Sequence, residues 1–143
     1  MDDLKIEIIY GLEGFEKVKG IRYRVFVQEQ GVPQELEWDS FDRIAYHLIL
    51  HLNNTPVGTA RLFTKENRSY IGRVAVLKEY RGRGYGRIIM KAIMEHAKNI
   101  GIKRIYLHSQ IYIKDFYKKL GYKEIGDEFT EAGITHIEMF IDL

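Results

Sequence analysis

Arg81-Gly82-Arg83-Gly84-Tyr85-Gly86 decides how this chain is read. An apolar run, Val74-Ala75-Val76-Leu77, leads into it, and a strongly periodic segment leaves it. Glycine at 82, 84 and 86 lets the backbone turn tightly and lets a ligand approach closely. The segment that follows opens a helix, so the loop ends in unpaired backbone N–H groups at the positive end of a helix dipole. Such a terminus binds anions, and phosphate most naturally. Arg81, Arg83 and Arg87 add fixed positive charge around it.

The helix has the clearest period in the chain. Tyr85, Ile88, Ile89, Ala92, Ile93, Ala97 and Ile100 fall on one face, and Arg87, Lys91, Glu95 and Lys98 on the other. Gly101 is a good stop. Two familiar phosphate loops do not match. A Walker loop ends in Gly-Lys-Ser/Thr, where this chain has Gly86-Arg87-Ile88. A dinucleotide fingerprint needs its third glycine at position 87, which is Arg, and belongs to the first strand of its βαβ unit. The pattern Arg-x-x-Gly-x-Gly is met by Arg81, Gly84 and Gly86. On these residues the chain resembles the GNAT superfamily of acetyl-CoA-dependent N-acetyltransferases, in which this segment cradles the pyrophosphate of coenzyme A. The competing readings are a Gly/Arg surface turn and an RGG-like nucleic-acid tract.

A chain of 143 residues, 45% hydrophobic and 29% charged, suits one globular domain over 1–143. It has no cysteine, which excludes disulfides, a thiol nucleophile and a thiolate zinc site. The five histidines show no metal-ligand spacing, so no metal is expected. No apolar run approaches the ~20 residues that span a bilayer, so no membrane partner is expected. Met1-Asp2-Asp3-Leu4 is acidic and unlike a signal peptide, and a cytoplasmic location is the expectation. A net charge of +2 is too small to argue for a nucleic-acid partner.

Leu4 to Ile9 reads as a first strand. Phe15, Val18, Ile21 and Val25 recur at helical spacing, with Gly20 weakening or splitting the helix and Gln30-Gly31-Val32-Pro33 ending it. Gln34 to Asp42 is irregular and acidic. Ile44–Leu50, Val57–Phe63 and Tyr70–Leu77 read as a meander of strands, turning at Asn53–Pro56 and Lys65–Asn67. Arg104–His108 is a strand, Ile113–Leu120 a short helix, and Tyr122–Ile125 and Ile134–Ile141 the last strands. The connection Gly126–Gly133 between them is long for a hairpin. The fold class is α/β, an α+β mixed sheet, predominantly antiparallel, of about seven strands flanked by about four helices. This is the element order of the GNAT fold, and the resemblance covers essentially the whole chain. It departs where the family often carries a proline before the glycine loop; here the turn is Leu77-Lys78-Glu79-Tyr80.

A second motif, Asp115-Phe116-Tyr117-Lys118-Lys119-Leu120-Gly121-Tyr122, resembles the family's Phe-Tyr-x-x-x-Gly-Phe/Tyr pattern. By spacing, Phe116 and Leu120 face the core and Tyr117 a neighbouring face. The resemblance implies that Tyr117 lies near the thioester sulfur and protonates the departing thiolate. Otherwise Tyr117 is a packing residue, and Tyr112 is the fallback. The resemblance also implies a bulge in the strand ending Val74-Ala75-Val76, where main-chain groups meet the pantetheine arm and the carbonyl. Backbone N–H groups there can serve the oxyanion that forms when a neutral amine attacks the thioester. Cofactor contacts are thus expected from Val74, Ala75, Val76, Arg81, Gly82, Arg83, Gly84, Tyr85, Gly86, Arg87, Phe116 and Tyr117, and from Ser109 just after the fifth strand.

An amine with a pKa near 10 needs a proton acceptor at neutral pH. Candidate bases are Glu29, Glu35, Glu37, Asp39, His47, His108, Glu128 and His136, with Glu29 and His136 foremost. The alternative for His136 is a strand histidine bonded to backbone, and for His47 a hydrogen-bonded core residue. The acidic stretch can attract a cationic substrate through Glu37 and Asp39, or be a solvated loop. Trp38 stacks on the substrate or pins the loop. Val27–Pro33 with Glu37, Asp39 and Asp42, and Glu131–Met139, resemble a small bacterial ElaA-like branch. The expected function is direct transfer of acetyl from acetyl-CoA to a primary amine of a small molecule or peptide. The alternative is a non-catalytic acyl-CoA sensor on the same fold. Exposed last strands in such sheets often pair between subunits, so a homodimer is the candidate assembly.

Overall fold

A seven-stranded sheet in the order β1-β2-β3-β4-β5-β7-β6 frames the protein. The computed structural model describes residues 2–143; Met1, which begins the acidic N-terminal segment, lies outside the described residues. The strands are β1 (Leu4–Tyr10), β2 (Tyr46–Leu52), β3 (Thr55–Lys65), β4 (Arg68–Val76), β5 (Arg104–Gln110), β6 (Lys123–Glu131) and β7 (Ile134–Asp142). The helices are α1 (Glu16–Arg22), α2 (Gln34–Glu37), α3 (Tyr85–Asn99) and α4 (Lys114–Lys119). Only β4 and β5 are parallel, because α3 crosses over between them and returns the chain to the same end. The mixed, mostly antiparallel sheet and its order of elements match the sequence expectation.

Alternation along β2 loads both faces of the sheet. Leu48 and Leu50 pack with Ile89, Met90 and Ile93 of α3, while Ile49 packs with Val18, Ile21 and Val25 on the other face. On α3, Ile88 and Ile100 were expected inside but are 36% and 45% exposed, and Met90 is fully buried instead. Ile100 lies past the last helical residue, so the helical period no longer places it.

Gly20 does not break the first helix. Nothing crowds it, and α1 runs on into a wider π-helical stretch, Tyr23–Glu29, closed by Gln30 N–H donating to Val25 C=O at 3.1 Å. The expected long connection before the last strand is also corrected. β6 extends to Glu131 and turns tightly at Ala132-Gly133, both at positive φ, as a two-residue hairpin requires. β6 is an exposed edge strand with a bulge between Ile125 and Phe129, so its polar residues carry no alternation to read.

Candidate active site

The site opens where the sheet comes apart. β4 and β5 pair only at Ser69–Ile105 and Tyr70–Tyr106, and diverge beyond. Opposite that point β4 carries a bulge. Thr59 faces Ala75 and Arg61 faces Gly72, so Ala60 alone opposes Arg73 and Val74. Arg73 has φ +50°, in the left-handed region that costs a non-glycine residue. Its Nε lies 3.0 Å from Glu37 Oε2 and one terminal nitrogen 3.3 Å from Asp39 Oδ2, which holds it there. The bulge expected near Val74-Ala75-Val76 thus centres on Arg73-Val74. The parting strands frame a cleft of about 550 Å³, a usual size for a small-molecule site. Val74, Leu107, Gln110, Tyr117, Glu131 and His136 are among its lining.

The glycine loop lies at the end of β4. Gly82 and Gly84 take φ of +78° and +82°, a conformation that only glycine adopts freely. Open space surrounds both, so a ligand can reach the backbone. The first intrahelical bond of α3 runs from Ile88 N–H to Gly84 C=O at 3.3 Å. The amides of Tyr85, Gly86 and Arg87 precede it and have no partner inside the helix. A Cβ on Gly86 would stand 3.4 Å from Phe116 Cζ, so the loop and the second motif meet there. Anion-binding donors and an approachable backbone are therefore both present at the loop.

The three loop arginines differ. Arg81 donates from Nε to Val76 C=O at 2.9 Å, and its terminal nitrogens make a two-point pair with Glu29, one contact at 2.7 Å. It ties the loop to the first helix. Arg83 lies over the Tyr80 ring at 5.5 Å, and both Arg83 and Arg87 are exposed. Glu29, foremost among the carboxylate bases expected from sequence, is therefore committed elsewhere. The Arg81 hydrogen bond holds its carboxyl below the usual range, and it does not line the cleft.

Tyr117 is the buried residue of α4 and lines the cleft; Phe116, expected in the core, is half-buried beside it. Burial pushes the Tyr117 hydroxyl well above the ordinary tyrosine value, so it stays protonated. Tyr112 is 68% exposed and donates to Gln110 Oε1, outside the cleft lining. Ser109 is buried and donates to Gln110 C=O at 2.9 Å, while Gln110 itself reaches the cleft.

The acidic stretch is corrected most. Glu37 and Asp42 are each only 2% exposed. Fully buried Arg22 donates to Glu37 Oε2 at 2.6 Å and to Asp42 Oδ1 at 2.8 Å. Arg61 donates to Asp39 Oδ1 at 2.7 Å and to Asp42 Oδ1 at 3.0 Å. Burial pushes the Glu37 carboxyl up against the pull of Arg73 and Arg22. Burial also acts upward on Asp42, but its bonds and charge contacts with Arg22 and Arg61 outweigh that and hold it low. Glu37, Asp39 and Asp42 thus neutralise Arg22, Arg61 and Arg73, and their charge is not free to attract a cation. Trp38 packs edge-on to Phe15 and against Arg22, away from the cleft lining: it pins the loop. Sequence reading missed the arginines. Their signal was a charged residue at core spacing, Arg22 beside Ile21 and Arg61 within β3.

At the far wall, His108 bridges Glu131 and Glu138, each at 3.1 Å. Its hydrogen bond to Glu131 raises its pKa. His136 is 6% exposed, with Nδ1 2.7 Å from Ile134 C=O and Nε2 3.7 Å from Glu131 Oε2. His47 is fully buried, bonded through Nε2 to Asp42 C=O at 3.0 Å, and burial lowers its pKa. Glu35 and Glu128 are exposed and do not line the cleft.

The bulge at Arg73-Val74 and the glycine-rich helix start beyond it are the features that the resemblance to GNAT acetyltransferases implies. The GNAT acetyltransferase domain family matches residues 10–143, and the chain belongs to that family. The uncharacterized N-acetyltransferase YjcF of Bacillus subtilis is 38% identical over 123 residues, covering 85% of this chain and 88% of YjcF. ElaA of Escherichia coli is 30% identical over 124 residues, covering 83% and 81%. The crystal structure of ElaA aligns over 96% of this chain and 99% of its own, with a TM-score of 0.86 at 24% identity. An acyl-CoA N-acyltransferase from Pseudomonas aeruginosa aligns over 96% and 99%, with a TM-score of 0.87 at 25% identity. The chain is accordingly an acetyltransferase, with acetyl-CoA as the donor that GNAT acetyltransferases use.

Proposed function

We propose that the chain moves the acetyl group directly onto a primary amine, with His136 as the base and Tyr117 as the donor to the leaving sulfur. Acetyl-CoA supplies the activated acyl group as a thioester. Transfer is direct in this reading, and the chain has no cysteine to hold the acyl group as an enzyme thioester. The geometry at His136 carries this reading. Ile134 C=O can only accept, so Nδ1 bears the proton and neutral His136 keeps its lone pair on Nε2. Glu131, 3.7 Å from that nitrogen, stabilises the imidazolium once it has taken a proton. The split strands hold donor and acceptor in one cleft, which removes much of the entropic barrier.

Tyr117, which lines the same cleft, acts as a hydrogen-bond donor. A thiol has a pKa of about 8.5, below that of any tyrosine raised by burial, so a bond donated to the thiolate is favoured over full proton transfer. The test is thiol release from acetyl-CoA across a panel of amines. His136→Gln is expected to lower kcat by about 10²-fold or more while acetyl-CoA binding stays unchanged. Unchanged kcat in both His136→Gln and Glu131→Gln would remove His136 from the role.

A further inference from the structure

Aromatic rings form part of the cleft wall. Phe41 and Phe63 stack with ring centres 4.6 Å apart, and Phe63 and Tyr70 stack at 5.5 Å. All three line the cleft. The row continues through His108, 5.9 Å from Tyr70, and Phe129, 5.0 Å further, to His136, 5.8 Å from Phe129. The proposed base thus stands at the end of a chain of ring contacts that starts at Phe41, of which Phe129 alone lies outside the cleft lining.

The charges in the cleft limit what can lie on that surface. Of the lining carboxylates, Glu37 and Asp39 are bound to arginine. Among the described residues, Glu131 pairs only with His108 and His136. Glu131 is therefore the one lining carboxylate not held by arginine, and the one an ammonium can approach beside the two histidines. Lys65 lies 5.3 Å from the Phe41 ring centre and Arg61 4.8 Å from that of Phe63, so the protein's own cations already use the attraction of those rings. Arg61 and Arg73 are neutralised by their carboxylates, but Lys65, which lines the same cleft beside Phe41, repels a second positive charge on a ligand.

We infer, resting on the amine-acetylation reading above, that the acceptor is a monoamine on an aryl-alkyl body. Its nitrogen sits by Glu131 and His136, and its ring lies along Phe63 and Tyr70. Polyamines and basic peptides are disfavoured, because their additional charges find no further lining carboxylate free of arginine and meet Lys65.

Tryptamine and spermidine are the probes. Calorimetry on CoA-loaded protein reads their binding, and thiol release from acetyl-CoA reads their turnover. Tryptamine is expected to bind, and to exceed spermidine by about tenfold or more in affinity and in kcat/KM. Phe63→Ala is expected to weaken tryptamine about tenfold through KM, with Phe63→Leu recovering most of it and CoA binding intact in both. CoA binding reports that each variant has folded. Spermidine equal to or better than tryptamine, no tryptamine binding, or indifference of tryptamine to both Phe63→Ala and Phe41→Ala overturns the inference. Selective tryptamine binding without thiol release leaves it standing and counts against the transfer step instead.

Discussion

Removing the Glu37 carboxylate should cost this protein much of its stability and loosen its active-site strand together. That carboxylate lies 2.6 Å from Arg22 Nε and 3.0 Å from Arg73 Nε, in a place 2% open to solvent. Glu37→Ala leaves Arg22, itself fully buried, with Asp42 as its one carboxylate, and leaves Arg73 with Asp39 as its one carboxylate. Breaking a buried ion pair from one side costs roughly 3–5 kcal/mol, because the other charge stays buried without its partner. At about 2–4 °C per kcal/mol for a chain of this size, Tm should fall by roughly 6–20 °C. Glu37→Gln keeps an acceptor for Arg22 and should fall less. Because Arg73 sits at φ +50° on the β4 bulge, its loss of an anchor should also weaken acetyl-CoA binding. Urea unfolding with calorimetric titration of CoA measures both effects. A Glu37→Ala protein within about 1 kcal/mol of the parent would refute the claim that this network holds the bulge, since exposed ion pairs cost no more than that.

Four further outcomes are expected. Tyr117→Phe should lower kcat by about 10²-fold with acetyl-CoA binding retained, since it removes only the buried hydroxyl; stopped-flow thiol release would show it. Gly84→Glu should abolish CoA binding in calorimetry, because it puts a side chain and a negative charge where the loop turns at φ +82°. Gly58→Ala should destabilise by roughly 1–3 kcal/mol in urea unfolding, as its Cβ would stand 2.5 Å from Ile89 Cδ1 and 3.1 Å from Ala75 O. His108 has a folded pKa raised from 6.5 by Glu131, so its contribution is complete below pH 6.5 and is lost as pH rises through the folded value. Tm measured from pH 6 upward should therefore fall more steeply in the parent than in His108→Gln, and parallel curves would contradict the His108–Glu131 pairing.

The glycine loop, the α3 stripe and the Phe-Tyr motif were legible because each is local. Spacing along one segment sets which backbone amides are free and which side chains share a face. Pairing between distant segments is not local. Glu29 looked like a base until Arg81, 52 residues away, was seen to occupy it. Glu37 and Asp42 looked solvated until Arg22 and Arg61 were found buried against them. β6 had no readable alternation because an exposed edge strand has no buried face to impose one. What residue order decided was the list of elements, the glycine-rich turn before α3 and, through the family resemblance, the class of reaction. Folding in three dimensions decided which charges neutralise one another, where β4 and β5 separate, and which histidines lie against Glu131. Those outcomes depend on Coulomb and desolvation energies that act through space and are indifferent to separation along the chain.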